Sequence, residues 1–276
     1  MRNLLLLITT VFVLASCKDS YNYVMRKGSN NKKYEYAVKY FNKKKYNRAQ
    51  PLLEEIYPIY RTKKESENIY YMLAYSHYKL RDFLLASYHF ENFTKLYSLS
   101  NRAEECAFLH CLCEYEKSYP YYLDQSITSN AITQFQIFIN NYPDSKYMTQ
   151  CNEYIDKLRA KLHKKAYENA MLYYRSEDYK AAIVACENAV KEYPDIPQKD
   201  ELEYLVVKSY YLYAKKSVLE VQPERFKKAL EVANTFIEER KQTETKYSGD
   251  VKKLIILLNN EISIAENELK KKKINN

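Results

Sequence analysis

Six cysteines and four histidines are the residues of this chain best suited by type to nucleophilic or metal chemistry. The histidines are His77, His89, His110 and His163. None stands in an HExxH-like spacing, so each is expected on a helix surface or at a seam between helices. Cys111 and Cys113 point to different sides of a helix and lack a second pair, so neither zinc nor any other metal is expected. Acidic pairs such as Glu54-Glu55 and Glu104-Glu105 read as ordinary helix charges. The only glycines are Gly28 and Gly249, so no glycine-rich loop exists to cradle phosphate. No catalytic constellation and no cofactor site emerge, and the chain is not expected to be an enzyme.

Cys17 stands apart from the other cysteines. It follows a positive start at Arg2, an apolar stretch from Leu4 to Leu14 broken only by Thr9 and Thr10, and the tripeptide Leu14-Ala15-Ser16. Such a run is too short to span a bilayer and suits the core of an export signal. Leu-Ala-Ser-Cys at this place resembles the lipobox of bacterial lipoproteins. The resemblance implies that residues 1–16 are removed and that the Cys17 thiol carries a thioether-linked lipid. Small Ala15 and Ser16 would admit the peptidase. The plainer alternative is an ordinary signal peptide with an incidental cysteine. Residues 17–33 are polar and are expected to form a flexible tether. Five cysteines remain beyond it: Cys106, Cys111, Cys113, Cys151 and Cys186. An odd number in an exported chain leaves a free thiol or an intermolecular bridge. Cys111 and Cys186 fall where small apolar residues belong and act as small hydrophobes.

The elements that position these residues are helices. So few glycines exclude a sheet protein with its many turns, and prolines are expected mostly where helices stop. Aligning the chain with itself exposes a repeat. Small residues recur at Ala37, Ala74 and Cys111, each followed four residues later by Phe41, Tyr78 and Tyr115; Ala170 and Tyr174 repeat the pair. A second set comprises Ala49, Ala86, Ala131, Ala182 and Ala229. Seven residues after these stand Ile56, Phe93, Phe138, Ala189 and Phe236. Small side chains at a helix crossing let two helices approach closely, and residues at i+4 and i+7 share that face. The pattern resembles the tetratricopeptide repeat. Repeats are expected over 32–60, 67–96, 103–142, 164–193 and 201–239, within a repeat domain at 34–240. The third carries an extra stretch at 118–125. The fifth is stretched near 217–223, with no clear small residue in its first helix. Leu254, Leu257, Leu258, Ile262, Ala265 and Leu269 predict a capping helix over 247–272. The expected fold is all-α, an α-α solenoid of about five tetratricopeptide-like repeats plus this helix.

The formal charge of +9 is spread with both signs interspersed, as on a solvated helical surface. Nucleic acid would suit a basic chain, but an export signal puts it out of reach. The run Lys270–Lys273 either touches anionic head groups or is a solvated helix end favoured by the helix dipole. Repeat solenoids bind partners through the face lined by the first helix of each unit. There, Tyr34 and Val38, Tyr71 and Tyr75, and Phe108 and Leu112 occupy equivalent positions. They either line a groove for an extended aromatic or apolar segment or pack against the next unit.

Lipobox, repeats and overall length together resemble the BamD family, the outer-membrane lipoproteins of the β-barrel assembly machinery. The most specific local match runs from Ala131-Ile132-Thr133-Gln134-Phe135 through Phe138-Ile139 to Asn141-Tyr142-Pro143-Asp144-Ser145-Lys146-Tyr147. The stretch from Pro120 to Gln125 sits where that family carries an insertion. The resemblance implies a lipid-anchored scaffold at the outer membrane, facing the periplasm. It would bind the periplasmic domains of the barrel-forming assembly protein, other subunits of the complex and C-terminal segments of unfolded outer-membrane proteins. A different lipid-anchored adaptor, serving envelope division or peptidoglycan enzymes, is the alternative.

Overall fold

The structure, a computed structural model, describes residues 20–274. Cys17 and the expected export signal lie outside them. Twelve helices make up the ordered secondary structure of the described residues: α1 Tyr21–Lys27, α2 Asn30–Asn42, α3 Tyr46–Tyr60, α4 Ser66–Lys79, α5 Phe83–Leu96, α6 Ala103–Lys117, α7 Ser126–Asn141, α8 Met148–Arg175, α9 Tyr179–Glu192, α10 Lys199–Lys215, α11 Gln222–Glu239 and α12 Ser248–Ile274. Consecutive helices pack as hairpins, the architecture of a tetratricopeptide-like solenoid. They fall into two units, Met1–Leu158 and Arg159–Asn276.

The hairpins pack through the small residues. Ala37, Ala49, Ala74, Ala86, Ala131, Ala170, Ala182 and Ala229 are completely buried, and Cys111 nearly so. In the first unit, Ile56, Phe90 and Phe93 fill the space beside them. The fifth hairpin also has its small residue. Ser209 is fully buried and stands 20 residues before Ala229, the interval that separates Cys111 from Ala131. A search for alanine misses it because a serine serves the same close approach.

Turn length follows the sequence spacing. Where the two small residues lie 12 apart, the turn has three residues, 43–45, 80–82 and 176–178. Each such turn holds one left-handed residue, Lys44, Arg81 or Glu177, with φ of 55°, 62° and 62°. That conformation costs an L-residue roughly 1–2 kcal/mol, which the hairpin packing offsets. Asp82 and Asp178 then cap the following helices, accepting from the Leu85 and Ala181 amides. The two longer connections inside hairpins, 118–125 and 216–221, are each organised by a glutamine. Gln125 donates to the Pro120 and Leu123 carbonyls, and Gln222 to those of Lys215 and Ser217.

Three expectations need correcting. The tether drawn over 17–33 contains α1 and the start of α2, because Ser20 and Ser29 cap helices there and Val24 is fully buried against the first core. Pro51 and Pro58 lie inside α3, where burial of Leu52, Leu53 and Ile56 outweighs the hydrogen bonds that proline cannot donate. In α12 the buried stripe is Val251, Leu258 and Ala265, and Leu257 is exposed.

Candidate functional site

The expected groove residues lie on α2, α4 and α6 of the first unit. They sit three residues before and one after the buried small positions, so they flank the hairpin contact. Tyr34, Val38, Tyr71, Tyr75 and Leu112 are half-buried. Tyr34 stacks on Tyr60 at 5.7 Å between ring centres. Tyr71 stacks on Tyr75 at 5.7 Å, and the Arg102 guanidinium lies 4.4 Å from its centroid. The Tyr71 hydroxyl donates to Glu105 at 3.2 Å. Burial, and then the Glu105 charge, raise its pKa and keep the phenol neutral. Tyr75 also meets Phe41 and Tyr46 at 5.7 and 6.1 Å. Tyr71 and Tyr75 therefore join neighbouring hairpins, and all three rings leave part of their surface in solvent.

Phe108 differs from its equivalents. Only 5% of it is exposed, because Tyr147 lies flat on its ring at 4.2 Å and Phe138 closes its other side at 5.9 Å. The half-buried ring at this level is Tyr147, with Lys146 5.0 Å away. Arg102 and Tyr147 escaped sequence reasoning because both stand in links between repeats, outside any helical period.

The histidines sit at seams. His77 is buried between Asp82 at 3.1 Å and Glu54 at 3.4 Å, with the His89 ring 5.2 Å away. Burial, and then His77, push the His89 pKa down to about 4. Ser87, His110 and Glu114 meet across α5 and α6 with the composition of a nucleophilic relay but not its geometry. Ser87 Oγ donates to the Glu114 carboxylate, His110 Nδ1 lies 3.0 Å from the same Oγ, and His110 Nε2 faces Gln134 Oε1 at 3.3 Å. In a serine relay the acid orients the far nitrogen of the histidine. Here the carboxylate accepts the serine hydrogen bond itself and is also held by Lys117 and Asn130. The cluster is a seam of satisfied polar groups.

All five described cysteines are free and buried. Burial raises every thiol pKa, to about 11 for Cys151 and about 12 for Cys186. The folded protein is expected to resist a maleimide at neutral pH, and urea to expose five reactive thiols beyond Cys17. Rapid labelling of any of them in the folded chain would contradict this burial.

The second unit holds a cleft of about 380 Å³ among α9, α10 and α11. Val190, Val206, Val207, Val232 and Phe236 line it, with Glu203 and Arg240 at one end. Arg240 pairs with Glu203 and approaches Asp200 and Glu239 at 3.6 and 3.7 Å. Its guanidinium lies 4.0 Å from the Phe236 centroid. No sequence signal marked this site, because its residues come from three helices with no common spacing. Among the described residues no cluster suits a metal ion, and no helix is long and apolar enough to cross a membrane.

Against known proteins, the family model described as YfiO, outer membrane lipoprotein, matches residues 26–222 and 170–274. The outer membrane protein assembly factor BamD of Buchnera aphidicola is 24% identical over 189 residues, covering 64% of this chain and 77% of that protein. The protein of the same name from Helicobacter pylori is 29% identical over 75 residues, covering 27% of this chain and 34% of its own length.

Proposed function

Because this chain belongs to the YfiO outer membrane lipoprotein family, we propose that it is a lipid-anchored scaffold of outer membrane protein assembly. Cys17 carries the anchor, and the repeats face the periplasm. Both curated relatives are named as assembly factors for outer membrane proteins, which supports this role. Within it, the helical hairpins dock the periplasmic domains of the barrel-forming assembly protein and other subunits of the complex. The stripe of Tyr34, Val38, Tyr71, Tyr75 and Leu112 receives C-terminal segments of unfolded outer-membrane proteins, whose ends are aromatic.

The observation that carries the client reading is the half-buried state of these side chains on successive first helices. An extended segment laid across them meets a ring or branched side chain at each unit. Each aromatic pair contributes about 0.5–1.5 kcal/mol beyond the burial of area.

Gentle solubilisation of membranes and capture of the tagged full-length protein are expected to recover the barrel-assembly protein. Cys17→Ala is expected to leave the protein out of the acylated membrane fraction. Recovery of peptidoglycan hydrolases or synthases in place of a barrel protein would move the chain to the envelope-adaptor reading.

A further inference from the structure

The first unit places three turns and the start of the described chain on one edge. The Tyr21 ring of α1 lies 5.6 Å from Tyr40, with Arg48 5.6 Å from both rings. Tyr40 and Arg48 flank the α2–α3 turn, so the chain begins beside it. Phe41 and Tyr46, on either side of that turn, meet Tyr75 one helical turn before the α4–α5 connection. Arg81, in that connection, reaches Glu116 at 3.7 Å, just before the 118–125 loop. The links 61–65, 97–102 and 142–147 lie at the opposite ends of these helices.

The turn edge has the composition of a membrane interface. Lys43, Lys44 and Lys45 are consecutive and exposed, and the Arg81 side chain is 77% exposed. Beside them Leu80, Leu84 and Tyr88 stand out from α5 and its turn, and Tyr119, Tyr122 and Leu123 from the loop; Leu84 is 69% and Tyr122 68% exposed. Aliphatic side chains, tyrosine rings and lysines together suit the boundary between head groups and acyl chains. The acids on this edge are engaged: Asp82 caps α5 and holds His77, Glu116 meets Arg81, and Asp124 accepts from the Ser126 amide.

We infer that this turn edge rests on the anionic head-group surface of the membrane leaflet that carries the anchor. The inference builds on the reading of Cys17 as the acylated residue. Two residues, Lys18 and Asp19, separate Cys17 from Ser20, and the three peptide steps between them span at most about 11 Å. An acylated Cys17 therefore holds the edge beside α1 within reach of the head groups. Each lysine near such a surface strengthens binding roughly fivefold.

The chain has no tryptophan, so single introduced tryptophans report contact cleanly. Tyr122→Trp and Leu84→Trp mark the edge. Leu99→Trp, at a position 98% exposed in an opposite link, is the control. Each full-length acylated protein is placed in vesicles of brominated phosphatidylcholine, with and without phosphatidylglycerol. The edge reporters are expected to be quenched severalfold more than Leu99→Trp, and more strongly when phosphatidylglycerol is present. The triple variant Lys43→Glu, Lys44→Glu, Lys45→Glu, which reverses three charges, is expected to weaken the anionic-lipid dependence by more than the roughly 100-fold expected from neutralising them. The milder Lys→Gln set guards against misfolding, read by an unchanged urea midpoint. Equal quenching at both edges, or quenching indifferent to the lysines, overturns the inference; so does contact of this edge with a protein partner that excludes lipid. The mass of the N-terminal peptide reads acylation separately. Unacylated protein whose edge is still quenched refutes the anchor alone, and acylated protein without edge quenching refutes the docking surface alone.

Discussion

Truncation of Phe93 to alanine is expected to destabilise the first unit by about 3–5 kcal/mol, the range for deleting a buried aromatic ring. Phe93 is completely buried at the end of α5. Its ring centre lies 5.0 Å from Tyr97, 6.2 Å from Tyr71 and 6.4 Å from Tyr70. Removal leaves a cavity beneath Tyr71, so the loss reaches the proposed client stripe as well as the core. Phe93→Leu keeps most of the volume and is expected to cost less than about 1.5 kcal/mol. Urea unfolding followed by circular dichroism, with hydrogen exchange resolved over α4 and α5, measures both. A shift under about 1 kcal/mol for the alanine variant would mean that the α4–α5 seam is not close-packed.

Arg240→Ala is expected to destabilise the second unit by about 3 kcal/mol, the lower end of the range for breaking a buried ion pair. The Arg240 side chain is 11% exposed and that of Glu203 22%. Asp200 and Glu239 stand nearby, so truncation leaves a partly desolvated carboxylate among like charges. The lost stacking on Phe236 adds to this. Replacing the pair by apolar residues of similar size, Arg240→Met with Glu203→Leu, removes the uncompensated charge. Most of the stability is expected to return. A double variant as unstable as the single one would show that packing by Arg240, and not charge compensation, governs this corner. Urea midpoints of the wild type and both variants decide between the two.

The self-alignment carried the hairpins because close helix approach tolerates few residue types. Ala37, Ala74, Cys111 and Ala170 mark first helices and Ala49, Ala86, Ala131, Ala182 and Ala229 second helices, and burial agrees at every one. Turn lengths were legible for the same reason, since a spacing of 12 leaves room for only three connecting residues. The α1 helix was hidden in a polar stretch whose single deeply buried residue is Val24. The continuous α8 was hidden because its Cys151 and Leu158 serve the first unit, whereas Ala170 serves the second.

Local periodicity alone determined that this chain is a row of helical hairpins. It also chose which helix face carries the aromatic stripe. The covering of each ring was decided by tertiary packing. Phe108 and Tyr71 occupy the same repeat position, yet Tyr147 buries one and Arg102 caps the other. The Arg240 cluster and the shared turn edge likewise join residues far apart in the chain. Periodicity reports which face a residue occupies within its own helix, whereas burial depends on which residue of the next unit reaches it, and no spacing encodes that.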